Sequence, residues 1–439
     1  MFKDSLRSKP FGIMATALIL FSALSLAACG GGGGSDGGGP SGCVSGGSGD
    51  APATPHVICT AADLKALADR VNNPILAERE PPGRCYLLGN DIDLSAYSAG
   101  AGWTPIGNES GVPYSRFSGY FDGNGKTVSN LHVNNISSSY VGLFGVIVGG
   151  EIRNLGISNA SILTSGNFVG GVAGYVIGVA GVVGSGSITN CRVTDSTVKG
   201  GGDIGGIAGT VQNGVVTNCC VTGGLVESID DTSSAIGGIV GGIRDDTVIA
   251  NCYATNTVKG YGSVGGVAGA IGGGAEMAQL FNCYATGEVS GNSRVGGVVG
   301  HFVDGYVTNC AALNQRIARL IGSSDMNFGR VAGRISGGGT LNNNVAFGAL
   351  TATTDGVVSF SGGTVTNKDG ANISNAIRPT SYVSPVLPPL TPLNWPFGAT
   401  NSSPWIWGGY INPDYPLPVL YWQTDAQIQS LASPTHLIP

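Results

Sequence analysis

The residues with the most obvious chemical potential in this chain are its cysteines, and five of the ten recur in one phrase. Cys191, Cys219, Cys252, Cys283 and Cys310 each follow an asparagine, in ITNCRV, VTNCCV, IANCYA, LFNCYA and VTNCAA. Thiols spaced this way could do three things. They could fill a core as small apolar groups, the commonest fate of a free Cys. They could cross-link adjacent repeats, as an oxidising compartment permits. They could ligate metal, but that needs CxxC-type spacing and tetrahedral convergence, and a straight ladder supplies neither. No metal site is therefore expected. Cys59 and Cys85 form a second set, flanking a helical pattern, and a Cys59–Cys85 disulfide is the expected staple there. Cys43 is left over.

Carboxylates are the other candidates. A glycosidase needs two of them about 5–10 Å apart, and a lyase needs a base plus neutralisation of a uronate. Asp203, Asp245, Asp246 and Asp304 are the acids best placed for such work, but they lie in different repeats and do not recur in phase. Asp203 precedes IGGIAG, whereas Ala235, Ser263 and Arg294 precede later copies. Asp91 and Asp93 alternate with Ile92 and Leu94, which is a half-buried strand pattern. There are four histidines, and no HExxH motif occurs. No cofactor motif stands out either. VGGVAG looks like a phosphate loop in isolation, but it lacks the following Lys-Ser/Thr and returns six times.

The elements that must carry these residues are set by that return. VGGVAG begins at Val169 and Val264, with variants from Ile204, Ile236, Val295 and Phe328. Aligned on the asparagine, Asn130, Asn154, Asn190, Asn218, Asn251, Asn282, Asn309 and Asn343 are 24 to 36 residues apart. A fixed phrase with variable spacing is one turn of a solenoid with loops of variable length, because each unit contacts only its neighbours. VGGVAG makes a poor helix, since each Gly costs about 1 kcal/mol relative to Ala. Each unit is expected to hold three short strands. The Gly pairs belong at sharp bends or where neighbouring coils approach closely. Like positions then stack about 4.8 Å apart. The cysteines become an interior ladder. Asn190, Asn218, Asn251, Asn282 and Asn309 become a second ladder, with amides bonded to the copies above and below. The fold class is all-β, a right-handed parallel β-helix of about eight to nine coils, roughly 40 Å long.

The flanks have other textures. Charged residues are 11% of the chain, against about 25% in typical soluble domains. Lys3, Arg7 and Lys9 precede an apolar run from Phe11 to Leu26, which has the pattern of a signal peptide. Leu26-Ala27-Ala28-Cys29 resembles a bacterial lipobox, which implies cleavage at residue 28 and lipidation of Cys29. Residues 29–54 form a Gly-rich tether too polar to bury a core. Residues 55–102 should make an N-terminal cap. Thr60 and Asp63 suit a capping box there, and Leu64, Leu67, Ala68 and Val71 make residues 61–72 an amphipathic helix. Repeats fill 103–350. Residues 351–439 hold four of the five Trp, with Trp395, Trp405 and Trp407 followed by Trp422, and are expected to close the far end as an aromatic plug. The net charge is −6, and −8 without residues 1–28, which excludes nucleic acid as a partner.

The runs LLGNDIDLS, WTPIG, FSGYFDGNGKTVSNL and VGLFG, followed by the VGGVAG and ITNC units, resemble bacterial surface proteins with GLUG-motif repeats. The resemblance spans most of residues 57–350. It implies an exported parallel β-helix and no particular activity. The expected role is a non-catalytic adhesin or scaffold for glycan or matrix protein. It would touch the membrane through lipid alone, at the outer membrane or cell surface. The inserts at 176–186, 228–234 and 272–278 are expected to shape the binding face. The alternative is a carbohydrate-active enzyme that uses the four aspartates, as some parallel β-helices do.

Overall fold

Short runs of Val, Ile and Thr, broken every few residues by Gly or Asn, favour short strands that turn repeatedly. One coil shows the consequence. Val215–Thr217, Cys220–Thr222, Leu225–Ser228, Ala235–Gly237 and Val240–Arg244 are five strand segments separated by bends. Each pairs in parallel with the equivalent segment of the coils on either side, as Val216 does with Ile188 and Ile249. The computed structural model describes residues 43, 46–108, 115–179, 182, 184–230, 235–272, 278–320, 327–348, 350–353, 360, 364, 366–373, 400–401, 405–407 and 417–431.

The result is a parallel β-solenoid of five sheets, with 10, 10, 8, 6 and 7 strands. The first sheet runs from His56–Ile58 to Thr340–Asn342. Its ten strands make nine intervals, or about 43 Å at ~4.8 Å each. A complete coil therefore has five strand segments, not three, because bends recur after every two to five strand residues. Inward residues such as Val216, Val221, Val226, Ile236 and Ile243 are at most 3% exposed and fill one continuous core.

The glycines of VGGVAG are explained by close approach, not by bending. None of Gly205, Gly206 and Gly209 has a positive φ. A Cβ on Gly206 would lie 2.4 Å from the carbonyl oxygen of Gly238 in the next coil. One on Gly209 would lie 2.4 Å from the backbone nitrogen of Val169 in the previous coil. The bends use asparagine instead. Asn154, Asn190, Asn218, Asn251, Asn282, Asn309 and Asn343 all have φ between 52° and 55°, a left-handed conformation Asn tolerates.

Helix α1, Ala61–Val71, covers the first coil and buries Leu64, Leu67, Ala68 and Val71. Thr60 and Asp63 form the reciprocal capping box. The disulfide expected beside it has a different partner. Cys59 bonds to Cys43, with a Cα–Cα distance of 5.7 Å, and not to Cys85. The cause is the fold-back of the supposed tether. Gly46 and Val57 exchange backbone hydrogen bonds in an antiparallel bridge, and the Cys85 N–H donates to the Gly49 carbonyl. Residues 46–54 are thus part of the cap. Residues 1–28 and Cys29 lie outside the described residues.

The aromatic segment does not sit on the end of the solenoid. Trp405–Trp407 pairs antiparallel with Pro418–Leu420, and helix α2, Asp425–Gln429, follows. Together they lie against the flank, over the outward face of the second sheet. Trp405 is fully buried, with its ring 6.3 Å from Tyr253 and 5.9 Å from Tyr284. The Tyr284 hydroxyl donates to the Pro418 carbonyl, and Trp422 Nε1 donates to the Asn218 carbonyl. At the far end, Ala371–Ile373 adds a last strand beside Val345–Phe347, so the coils run past residue 350. Trp395 lies outside the described residues.

Candidate functional site

The two ladders form as columns in the wall, with the thiols enclosed and the asparagines buried or half-buried. Asn190 donates to Asn154, Asn218 to Asn190, Asn251 to Asn218, Asn282 to Asn251 and Asn309 to Asn282, at 3.1–3.3 Å. Asn154 closes the column by donating to Asp122. Asn130, aligned with these by its phrase, belongs to a different corner and donates to Asp93. The cysteines Cys191, Cys219, Cys252, Cys283 and Cys310 are buried free thiols, as is Cys220. Burial pushes Cys219 and Cys283 well above the usual thiol range, and Cys220 up to about 12. Thiols enclosed in this way are poor nucleophiles and poor ligands. Asn344 takes the next position and ends the column by accepting from the Cys310 N–H.

The candidate acids do not assemble a reacting pair. Asp203 accepts from the Thr210 hydroxyl at 2.8 Å and pairs with Arg244 at 3.0 Å. Asp245 accepts from the Gln212 side chain. The Asp246 N–H donates to Asn213. Asp304 sits two coils further along, with one carboxylate oxygen buried. Asp91 and Asp93 hold the first bends by accepting from Thr127 N–H and Ser95 N–H.

A different group emerges at the corner just before the VGGVAG strands. Among the described residues, sixteen other than glycine have positive φ. Thirteen are Asn or Asp. The three exceptions are Tyr140, Phe168 and Arg294, at 59°, 60° and 49°. All three occupy this one corner, each directly before Val141, Val169 or Val295. For such side chains the left-handed region costs roughly 1–2 kcal/mol, and strain of this kind clusters at functional sites.

Two of these residues build an aromatic platform. Tyr140 and Phe168 are stacked, with centroids 5.0 Å apart and planes at 20°. Tyr175, from Ala173–Ile177 on the adjoining fifth sheet, stacks on Phe168 at 5.1 Å and 21°. All three rings are half-buried. The Tyr175 hydroxyl donates to Gln212 Oε1, and Gln212 in turn donates to Asp245. Asp245 thus orients the platform through Gln212. Beyond the rings the same surface carries small residues. In register with Tyr175 come Thr210, Gly242 and Ala270. A Cβ on Gly242 would lie 2.9 Å from Asp203 Oδ2. Inserts 176–186 and 272–278 begin at the ends of Ala173–Ile177 and Ala268–Ile271 on the fifth sheet, and residues 180, 181, 183 and 273–277 lie outside the described residues.

Sequence reasoning reached Asp203 and Arg294 as non-repeating residues before the phrase, but not the platform. The signal was there: Tyr140 and Phe168 stand in that same slot.

The molecule is thus a parallel β-solenoid with an aromatic strip on one corner. The GLUG motif family model matches residues 232–259. A protein described as a Gly-rich membrane protein of Evansella cellulosilytica is 38% identical over 140 residues, 31% of this chain and 15% of its own length. Halomucin of Haloquadratum walsbyi is 37% identical over 150 residues, 32% of this chain and 2% of its own length. The chain therefore spans a small part of the curated relatives it matches. A crystal structure described as an immunoglobulin A1 protease from Bacteroides ovatus superposes with a TM-score of 0.53 at 22% identity, over 84% of this chain and 93% of that one. That likeness concerns the fold alone.

Proposed function

We propose that this protein is a cell-surface scaffold, held by lipid on Cys29, that binds glycan along the corner bearing Tyr140, Phe168 and Tyr175 and performs no catalysis. The observation that carries the reading is the stacked platform set on strained backbone. Aromatic faces pack on the apolar faces of sugar rings, and half-buried rings in fixed orientation bind with little loss of rotamer freedom. A surface location is supported by the signal-like N-terminus and lipobox pattern, and by relatives named for membrane or mucin character. The dispersal of Asp203, Asp245, Asp246 and Asp304 speaks against the enzyme alternative. The test is a glycan array probed with wild type and with a Tyr140→Ala/Phe168→Ala double variant. Saturable binding by wild type that the variant loses supports the reading. Equal binding by both would sink it. Palmitate labelling of wild type and Cys29→Ser tests the anchor separately.

A further inference from the structure

The corner that carries the rings continues, four to five coils on, into a group of two arginines and a histidine. Arg294 occupies the slot held earlier by Tyr140 and Phe168. His301 and Arg334 follow Tyr175, Thr210, Gly242 and Ala270 in register on the fifth sheet. His301 Nε2 lies 2.8 Å from the Ser336 hydroxyl. Arg334 is exposed, and Arg294 Nε is buried without a hydrogen-bonding partner. Among the described residues neither arginine forms an ion pair. Several other cations of this acidic chain are neutralised by carboxylates, as Arg153 is by Asp122, Lys199 and Lys259 by Glu227, and Arg316 by Glu288, while Arg192 and Arg330 instead donate to neutral groups. Left-handed backbone at Arg294 aims its side chain at a cost, as at the rings.

We infer that the strip takes an anionic polysaccharide, its sugar rings on Tyr140, Phe168 and Tyr175 and its carboxylate or sulfate groups on Arg294, His301 and Arg334. This rests on the glycan-binding reading and narrows it to a substrate class. From Tyr175 to Arg334 are five strand intervals, about 24 Å, enough for several sugar units in an extended chain. Thr210, Gly242 and Ala270 put only small side chains along the path between them, and the Asp203 carboxylate that borders it is neutralised by Arg244. Arginine suits both anions, because its planar fork matches carboxylate and sulfate oxygens in pairs.

The test titrates the full-length protein with polygalacturonate, dextran sulfate and unmodified dextran, by calorimetry at low and moderate salt. Wild type should bind at least one anionic polymer about tenfold or more tightly than dextran, with affinity falling as salt rises. Arg294→Gln/Arg334→Gln should lose that advantage, about tenfold or more, and keep any dextran binding. The two anionic polymers separate carboxylate from sulfate recognition. Binding of dextran as tight as that of both anionic polymers would overturn the anionic inference and leave the platform standing. Anion binding that survives the double substitution would also overturn it. No binding of any polymer, with Tyr140→Ala/Phe168→Ala behaving as wild type on the array, would remove both readings. Unchanged far-ultraviolet dichroism in the double variant guards against misfolding as the cause of loss.

Discussion

Phe168 sets stability against function at a single position. Its φ of 60° suits asparagine better than phenylalanine. Phe168→Asn should leave stability within about 1 kcal/mol of wild type in chemical denaturation, because relieved strain offsets lost ring packing. The same variant should lose glycan binding on the array. A well-folded variant that still binds would remove Phe168 from the site. His301 gives a second residue-scale expectation. Burial, and then Arg294 and Arg334, hold its imidazole below the usual histidine range. The folded state therefore carries fewer protons on His301 than the unfolded chain between the two midpoints. Its contribution is complete above about pH 6.5 and is lost as pH falls through the lower folded midpoint. Proton-detected titration should find that midpoint below about 6.5, and Arg294→Gln should raise it. A midpoint unmoved by that substitution would mean the two side chains do not share one field.

The coil is the element that sequence reveals best. Stacking, the two columns and the capping box on α1 followed from phrase, period and residue type. The number of strand segments per coil did not, because a two-residue strand such as Ile204–Gly205 has no periodicity to detect. The pairing of Cys43 is illegible for a related reason: a Gly-rich run carries no sign that Gly46 will bridge to Val57. The platform was hidden because it is built from residues that do not repeat, on two different sides of the coil. The Asn column yields a graded prediction. Asn251 donates to Asn218 and accepts from Asn282. Asn251→Ala should cost roughly 2–3 kcal/mol, losing both bonds and the tolerated bend, and Asn251→Gly about 1 kcal/mol less. Equal costs would show that backbone conformation contributes nothing there. The thiols provide another: Cys191, Cys219, Cys220, Cys252, Cys283 and Cys310 should resist a thiol reagent in the folded protein and react without reductant once denatured.

At the scale of the whole molecule, the ends and the flank are finished differently. The α1 cap covers one open end, whereas the aromatic segment seals a side by covering Tyr253 and Tyr284, themselves stacked at 5.0 Å. Removing residues 400–439 should uncover those rings and increase binding of a hydrophobic dye, while the parallel core keeps its dichroism. A truncated chain with no more dye binding than the full one would show that the flank is covered by other means. The Cys43–Cys59 bond has a mechanical meaning as well. A pull applied at Cys43 enters the folded body at Cys59, immediately ahead of α1, because the covalent bridge short-circuits the intervening chain. The Gly46–Val57 bridge and the opening strand His56–Ile58 are then spared the load. Under reducing conditions the same pull would peel that strand away from Cys85–Leu88 first. Stretched singly, the oxidised molecule should lack an early, low-force extension that the reduced one displays.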